Sequence, residues 1–517
     1  MEKKKDILHI LVLLFAAVQP LVDMDYLIYG FLDSFGLPRF STVLRFVVLP
    51  LLVLAVFIKR EKKKLPVFIA AAVYGAALLG YFVLHSRQAA ELAVRLSFTE
   101  NFRFGLFQEL TYILTLVMPF AVIWMCAKER ITRDELKKIV CFESLLTSLT
   151  IVLGDLFVFG RSTYYGYTVG NVFSWFTGIY DWYHPRTLAS KFFFNEGNTV
   201  GILMFMLLPL LYYFLCIVEE KQERKRLTVL IFMQSLAMQM LATRVATYGA
   251  VFIPVMFLIM YLISVLLLKE RKFRKGCVIT PLIAAAVFGA MLEFTPAIQN
   301  QKVDAVNDVA LLHNGMASLG EEELKNAEDL VPGSPEYINF YVYMFETYGI
   351  NARYIQSVPS MYYTEYYSYQ FDPKFWVDVT FMPVFDRVSG RQIETIFFNY
   401  KYQNLTPAEK ILGMGYSTFM NGSIVLEQDF KQQVYTLGYA GVILCILPWL
   451  AVMLYGAVQF LLHFKKLVNL ENMIYAVSAA LGFGSAWLSG HVLDQFVTSV
   501  FMAVLIAVLL NRVQEVQ

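Results

Sequence analysis

The chain has 517 residues, of which 58% are hydrophobic and only 16% charged, and its mean hydropathy is +0.55. Soluble domains carry roughly 45–50% apolar residues, so a soluble globular protein is excluded. The net charge of +2 is close to balance, and no nucleic-acid partner is expected.

The apolar residues arrive in blocks of about 17–25, the length that matches a ~30 Å hydrocarbon core. At the N-terminus, Met1-Glu2-Lys3-Lys4-Lys5-Asp6 precedes an apolar run from Ile7. A signal peptide has the same two regions. Here no small-residue cleavage site follows and the run resumes after Pro20, so it is read as a retained first span. The expected fold is an all-α polytopic membrane protein with about 12 transmembrane helices. The spans are expected at 7–28, 40–58, 65–84, 108–126, 139–160, 199–218, 227–243, 245–268, 276–293, 434–462, 473–489 and 495–511. This divides the chain into 1–293 with nine spans, a long loop at 294–433, and 434–517 with three spans. A second long connector runs 161–198. Pro50, Pro119, Pro209, Pro254, Pro281 and Pro448 fall inside spans and read as kinks in packed membrane helices.

With the N-terminus in the cytoplasm, the inner segments are 59–64, 127–138, 219–226, 269–275, 463–472 and the two termini. They hold 25 of the 43 lysines and arginines, which is the positive-inside asymmetry. Both termini are therefore expected in the cytoplasm, and 161–198 and 294–433 outside. Cys126, Cys141, Cys216, Cys277 and Cys445 all lie in or beside apolar spans. They read as small apolar core residues and exclude an outer domain stapled by disulfides. The six histidines are scattered, with no pair at ligand spacing. No metal site and no cofactor is expected; P-loop, G-x-G-x-x-G and H-E-x-x-H signatures are absent too.

The 294–433 segment has 17 acidic against 9 basic residues, 13 tyrosines and Trp376. A connector of that length is seldom structureless, and it is expected to be folded and mainly helical. Ser318-Leu319-Gly320-Glu321 fits a capping box. Ser334-Pro335 reads as an N-cap with proline in the first turn. Tyr337, Phe340, Tyr341, Met344, Phe345 and Tyr348 then recur at helical spacing. The stripe suits core packing first and a stacking surface for sugar rings second. A third helix is expected from Ile424 into the tenth span.

Arg244 sits in Leu241-Ala242-Thr243-Arg244-Val245-Ala246-Thr247, between two apolar runs that only a tight turn can join. A guanidinium near lipid either snorkels or holds an anion. Arg161 and Arg186 in the 161–198 loop, and Arg39 and Arg45 near the end of the second span, fall on the same side. Arginine suits phosphate because its planar fork donates two parallel hydrogen bonds. Asn195, Glu196 and Asn198 stand at the entry of the sixth span, as cap or as ligands. Asp494, after Gly490-His491, reads as a satisfied loop residue.

The order of these pieces is informative. The segment from Arg186 to Asn198 comes before a span, and Arg244 lies between two spans. A long loop follows, then Ile411-Leu412-Gly413-Met414-Gly415-Tyr416-Ser417, Glu427-x-Asp429-Phe430 and Gly438-Tyr439-Ala440-Gly441. Over residues 140–510 the chain resembles the O-antigen ligase and polymerase family of bacterial membrane glycosyltransferases, in the version found in Gram-positive surface-polysaccharide loci. The resemblance implies a fold of the GT-C class. It also implies transfer of a glycan from a polyprenyl diphosphate to a sugar hydroxyl on the outer face, without a nucleotide sugar or a metal. It matches Arg186 and Arg244 to the family's diphosphate-facing arginines. Arg45, Arg161, Asn195, Asn198 and Tyr416 complete the expected substrate-binding set. The ligases' histidine before the span that follows the large loop is missing; Glu427-Gln428-Asp429 stands there. Glu427 or Asp429 is then the candidate base, although Glu427 and Lys431 are also spaced to pair on a helix face. The rival class is a transporter or flippase of lipid-linked glycans. Twelve spans suit it, and a folded loop of about 140 residues does not.

Overall fold

The computed structural model describes all residues except 1–5, 97–100, 271, 304–316, 328, 356–357, 384–385, 388–389, 489 and 517. Among the described residues there is no β-strand, only one isolated bridge between Arg161 and Tyr167. Eight helices are long and apolar enough to cross a membrane: Phe40–Arg60, Lys64–Arg95, Leu106–Glu129, Arg133–Leu156, Gly197–Ile217, Arg244–Leu267, Gly276–Val303 and Phe496–Val516. Two consecutive pairs, Ile7–Ala17 with Gln19–Ile28 and Asp429–Cys445 with Leu447–Leu462, raise the number to ten if each counts as one span. The other two expected spans are helices as well, Lys221–Leu241 and Leu470–Leu488. The first opens with the charged turn Lys221 to Arg226 and the second with Glu471-Asn472, which shortens the apolar stretch of each. Among the described residues, eight to ten of the expected twelve spans thus have the length and composition of a membrane crossing.

The chain divides into two compact units. The first comprises Met1–Val73, Leu114–Asn300 and Leu447–Gln517. Its axis is the Gly197–Ile217 helix, buried over nearly its whole length. The helices Arg133–Leu156, Lys221–Leu241, Arg244–Leu262, Leu470–Leu488 and Phe496–Val516 pack around it. Small residues set the close approaches. A side chain at Gly201 would meet Thr243 and Leu241, and one at Gly482 would meet Met502 and Met206.

At one end of this unit the connectors are tied by ion pairs: Arg60 with Glu129 at 2.8 Å, Lys128 with Glu61 at 2.7 Å and Lys137 with Glu223 at 2.6 Å. Arg512 joins Glu471 at 2.8 Å, and His9 lies 3.0 Å from both Glu129 and Glu135. These are the segments that the charge pattern groups together. Cys216 and Cys277, expected as apolar core residues, form a disulfide at this end; Cys126, Cys141 and Cys445 are free.

The second unit comprises Tyr74–Ile113 and Gln301–Ile446. Its core is aromatic: Phe102, Phe345, Trp376, Phe397, Phe398 and Phe419 are buried together. Ser334 caps the Pro335–Met344 helix by accepting from the Tyr337 amide at 3.1 Å, as its position before proline indicates. Tyr341, Met344, Phe345 and Tyr348 of the stripe are buried in this core, so the stripe packs. The first acidic helix spans Ala317–Leu324, so Ser318 lies within it and does not cap it. The expected helix from Ile424 begins instead at Asp429. Ile424 and Leu426 are buried at alternate positions, which is the periodicity of extended chain.

Candidate active site

In the first unit the 161–198 connector is built on the ends of its helices. Arg161 N–H donates to the Phe192 carbonyl at 2.8 Å, and Lys191 N–H returns to the Arg161 carbonyl at 3.1 Å. This strap closes the end of the Lys221–Leu241 helix. The Thr163 hydroxyl donates to the Leu241 carbonyl at 2.6 Å, Tyr164 Oη to the Ala242 carbonyl at 3.0 Å, and Ser190 N–H to the Met240 carbonyl at 2.9 Å. Carbonyls that have no partner within a helix are thereby satisfied. The turn is as tight as the sequence demands. Ala242 is left-handed at φ 58°, Thr243 caps the next helix, and Arg244 is its first residue, exposed.

A cavity of about 500 Å³ lies in the other unit, described below. Here a smaller one of about 280 Å³ is lined by Arg161, Ser162, Tyr164, Gly166, Tyr167 and Lys191. The Arg161 guanidinium lies 5.5 Å from the centre of the Tyr26 ring, and the Arg186 guanidinium 5.7 Å from that of Tyr164. Arg186 Nε donates to Asn300 Oδ1 at 3.0 Å. Tyr164 therefore links the two arginines of the resemblance: Arg186 lies over its ring, and its hydroxyl binds the turn that carries Arg244. Lys191 Nζ donates to the Asn195 carbonyl at 2.7 Å. Burial lowers the pKa of Lys191, with Arg161 adding to the effect and Glu196 and Asp23 opposing it.

Two acids of the Asp23–Ile28 turn belong to the same unit. Asp23 Oδ2 accepts from the Asn195 amide at 3.0 Å, and Asp25 Oδ2 from the Ser41 amide at 2.7 Å. Arg45 is in electrostatic reach of both, and its guanidinium lies 4.9 Å from the centre of the Phe496 ring. It sits in a π-helical turn, Leu44–Val48. Glu196 is the N-cap of the Gly197–Ile217 helix by position. Its side chain makes no cap bond and instead accepts from the Thr199 hydroxyl at 3.1 Å. Asn198 is half-buried in the first turn of that helix. Arg45, Arg161, Arg186, Arg244, Asn195 and Asn198 thus all belong to this unit. Lys191, Asp23, Asp25 and Tyr164 were missed in the sequence. Two acids inside the first apolar span were the available signal. Asp494, expected as a satisfied loop residue, lies 3.1 Å from His491 Nδ1 through Oδ2.

Glu427, Asp429 and Tyr416 belong to the second unit. Glu427 is ion-paired with Arg391, not with Lys431, because the helix starts after it. Asp429 is the first residue of the Asp429–Cys445 helix and fully buried. One turn on, Gln432 and Gln433 both donate to Tyr112 Oη, at 2.8 and 2.7 Å. Tyr416 stacks on the Tyr112 ring with centroids 3.5 Å apart. Tyr112 thereby joins Tyr416 to the helix that Asp429 begins.

The sequence motif around Gly413 and Gly438 has a defined role. Gly438 interrupts the Asp429–Cys445 helix at φ 66°, ψ −178°, and Gly413 adopts φ 84°, ψ −178°. The break leaves carbonyls without helical partners. Met414 N–H donates to Tyr435 O at 3.0 Å, Gly415 N–H to Thr436 O at 2.8 Å, and Tyr81 Oη to Leu437 O at 2.6 Å. Below it, buried Glu109 accepts from the amides of Tyr416 and Ser417 at 3.1 and 2.7 Å and meets His85 Nε2 at 2.9 Å. His85 Nδ1 donates to the Leu412 carbonyl at 2.6 Å.

The family model of O-antigen ligase-like membrane proteins matches residues 5–516. The chain belongs to that family. No curated protein and no solved structure matches it. As an O-antigen ligase-like protein it is a glycosyl-transfer enzyme of surface-polysaccharide synthesis, acting in the membrane on lipid-linked glycan donors and glycan acceptors.

Proposed function

We propose that this O-antigen ligase-like protein transfers or polymerises a polyprenyl-diphosphate-linked oligosaccharide on the outer face of the cell membrane. The carrying observation is the cationic group around Tyr164: Arg161 and Lys191 line the cavity, Arg186 covers the ring, and Arg244 stands on the turn that Tyr164 grips. Ion pairs tie the opposite, lysine- and arginine-rich connectors, which supports a cytoplasmic setting for that end.

The reaction is one displacement at the anomeric carbon. The bond from that carbon to the diphosphate oxygen breaks, and a bond to the acceptor oxygen forms from the opposite face, inverting the centre. The electron pair leaves with the diphosphate. Arg161, Lys191, Arg186 and Arg244 neutralise that charge through charge-assisted hydrogen bonds. The acceptor proton goes to a carboxylate. That base is assigned to Asp429, fully buried at the head of the Asp429–Cys445 helix. Arg45, Asn195, Asn198 and Tyr416 complete the substrate contacts.

Purified protein supplied with a polyprenyl-diphosphate glycan should yield longer or transferred glycan and free carrier diphosphate. Arg161→Ala and Arg244→Lys should lose most of this turnover while inserting normally. Wild-type turnover in both would remove the diphosphate cradle. Altered sidedness of an unchanged lipid-linked glycan would replace the enzyme with a flippase.

A further inference from the structure

The second unit holds a cavity of about 500 Å³ lined by Arg95, Tyr367, Phe371, Asp372, Tyr400 and Lys401, with Asn404 beside them. Small-ligand sites span roughly 300–1,000 Å³. Its back wall is a directed hydrogen-bond chain. Lys401 Nζ donates to Tyr367 Oη at 2.7 Å, Tyr367 Oη donates to Asp372 Oδ2 at 2.6 Å, and Tyr400 Oη donates to the same oxygen at 3.1 Å. Asp372 Oδ1 caps the Pro373–Phe381 helix through the Phe375 amide at 3.2 Å. Lys401 is only 4% exposed and lies over the rings of Tyr367 and Tyr400, at 4.5 and 5.1 Å. Arg95 is fixed by Glu409 through two bonds of 2.7 and 3.0 Å. Phe371 is 44% exposed, and Asn404 Nδ2 donates to the Tyr400 carbonyl at 2.9 Å.

We infer that this cavity is a saccharide subsite that holds a neutral pyranose of the glycan through ring stacking on Phe371 and Tyr400 and hydrogen bonds to Asp372, Asn404 and Arg95. The inference deepens the glycosyl-transfer reading and rests on it for the presence of a glycan. The chemistry of the wall selects the class. Each cation is already matched by an acid, Lys401 through Tyr367 to Asp372 and Arg95 to Glu409. A phosphate would meet the Asp372 carboxylate. A ligand with hydroxyls on its rim and C–H groups on its face meets donors, acceptors and π-faces together. Peptide capture by strand addition needs a sheet edge, and the described residues contain no strand. A carboxylate with roughly four acceptor positions has three taken at Asp372, so one is left for a sugar hydroxyl.

The test uses the full chain in a detergent without a sugar headgroup. Cellobiose, chitobiose and maltose are titrated in turn by saturation-transfer difference NMR, with inorganic phosphate as the anionic probe. At least one disaccharide should bind the wild type with a millimolar constant, and Phe371→Ala or Asn404→Ala should weaken it roughly tenfold. Both side chains are exposed, so both variants should fold; unchanged thermal unfolding checks this. Binding of none of the disaccharides, equal binding to the variants, or phosphate competing with the sugar would overturn the subsite. Free sugars need no lipid donor. Sugar binding that Phe371→Ala weakens, in a protein that transfers nothing, would therefore leave the subsite standing and sink the transferase. Transfer with an unchanged acceptor KM in Phe371→Ala would do the reverse.

Discussion

Replacing Gly438 by alanine tests whether the broken helix is held by the 411–415 segment. A Cβ at Gly438 would stand 2.5 Å from Gly413 N, 2.5 Å from Ile411 O and 2.6 Å from Leu412 C. All three are backbone atoms, so no side chain can rotate away. The conformation at φ 66°, ψ −178° is itself one that essentially only glycine adopts, at a cost of about 1–3 kcal/mol for another residue. Overpacking adds about 1–3 kcal/mol. Gly438→Ala should thus destabilise the protein by roughly 2–6 kcal/mol. The bonds from Met414 and Gly415 to Tyr435 and Thr436 should loosen with it. Unfolding by SDS titration in mixed micelles gives the first quantity, and proteolytic cleavage near 411–415 reports the second. Gly456 in Leu447–Leu462 is the control, because a Cβ there meets nothing within 4 Å. Gly456→Ala should be neutral or stabilise by up to about 1 kcal/mol. A Gly438→Ala protein as stable and as protease-resistant as the control would refute the reasoning.

Asp429→Asn should lower glycan transfer by about 10²–10⁴-fold, whereas Glu427→Gln should stay near the wild-type rate; equal rates, measured with the lipid-linked donor, would dismiss Asp429. Glu109→Gln removes the charge that two amides and His85 surround, so it should cost roughly 3–5 kcal/mol, read from thermal unfolding in detergent. Burial brings Lys401 down to about 8 from 10.5. Between those values the unfolded chain holds the proton and the folded one does not, so stability should rise with pH across that window and be flat below it. The rise should total roughly 3 kcal/mol and vanish in Lys401→Met, as pH-dependent denaturation curves will show. Arg391→Gln frees Glu427 from a half-exposed pair and should change stability by less than about 1 kcal/mol.

Much of the architecture was legible because lipid imposes simple rules. Apolar block length gave the helical class and most of the membrane helices, and the clustering of lysine and arginine marked the connectors that ion-pair at one end. The turn at Leu241 to Arg244 was forced, since two apolar runs meet with no room for a loop. The count of spans was less legible, because Lys221–Leu241 and Leu470–Leu488 open with polar turns that leave a short apolar stretch in each. The ion-pair partner of Glu427 was not legible for a different reason. Its partner Arg391 lies 36 residues away, and no local spacing rule reaches that far. The aromatic stripe from Tyr337 illustrates the same limit: periodicity shows that one face is apolar, not whether protein or ligand covers it. The cavity residues, by contrast, come from a turn at 367–372, the end of one helix at 400–404 and Arg95, and only the fold assembles them.

The π turn at Leu44–Val48 makes the length of that stretch matter more than its composition. Such a turn holds one residue beyond an ordinary helix, and each residue of a regular helix advances by about 100°. Deleting any single position among these five would restore the ordinary winding and swing the preceding segment around the axis, carrying it away from Asp23 and Asp25. Conservative exchanges at Leu44, Val47 or Val48 leave that register intact. The enzyme should accordingly accept many letters here and almost no change in their number.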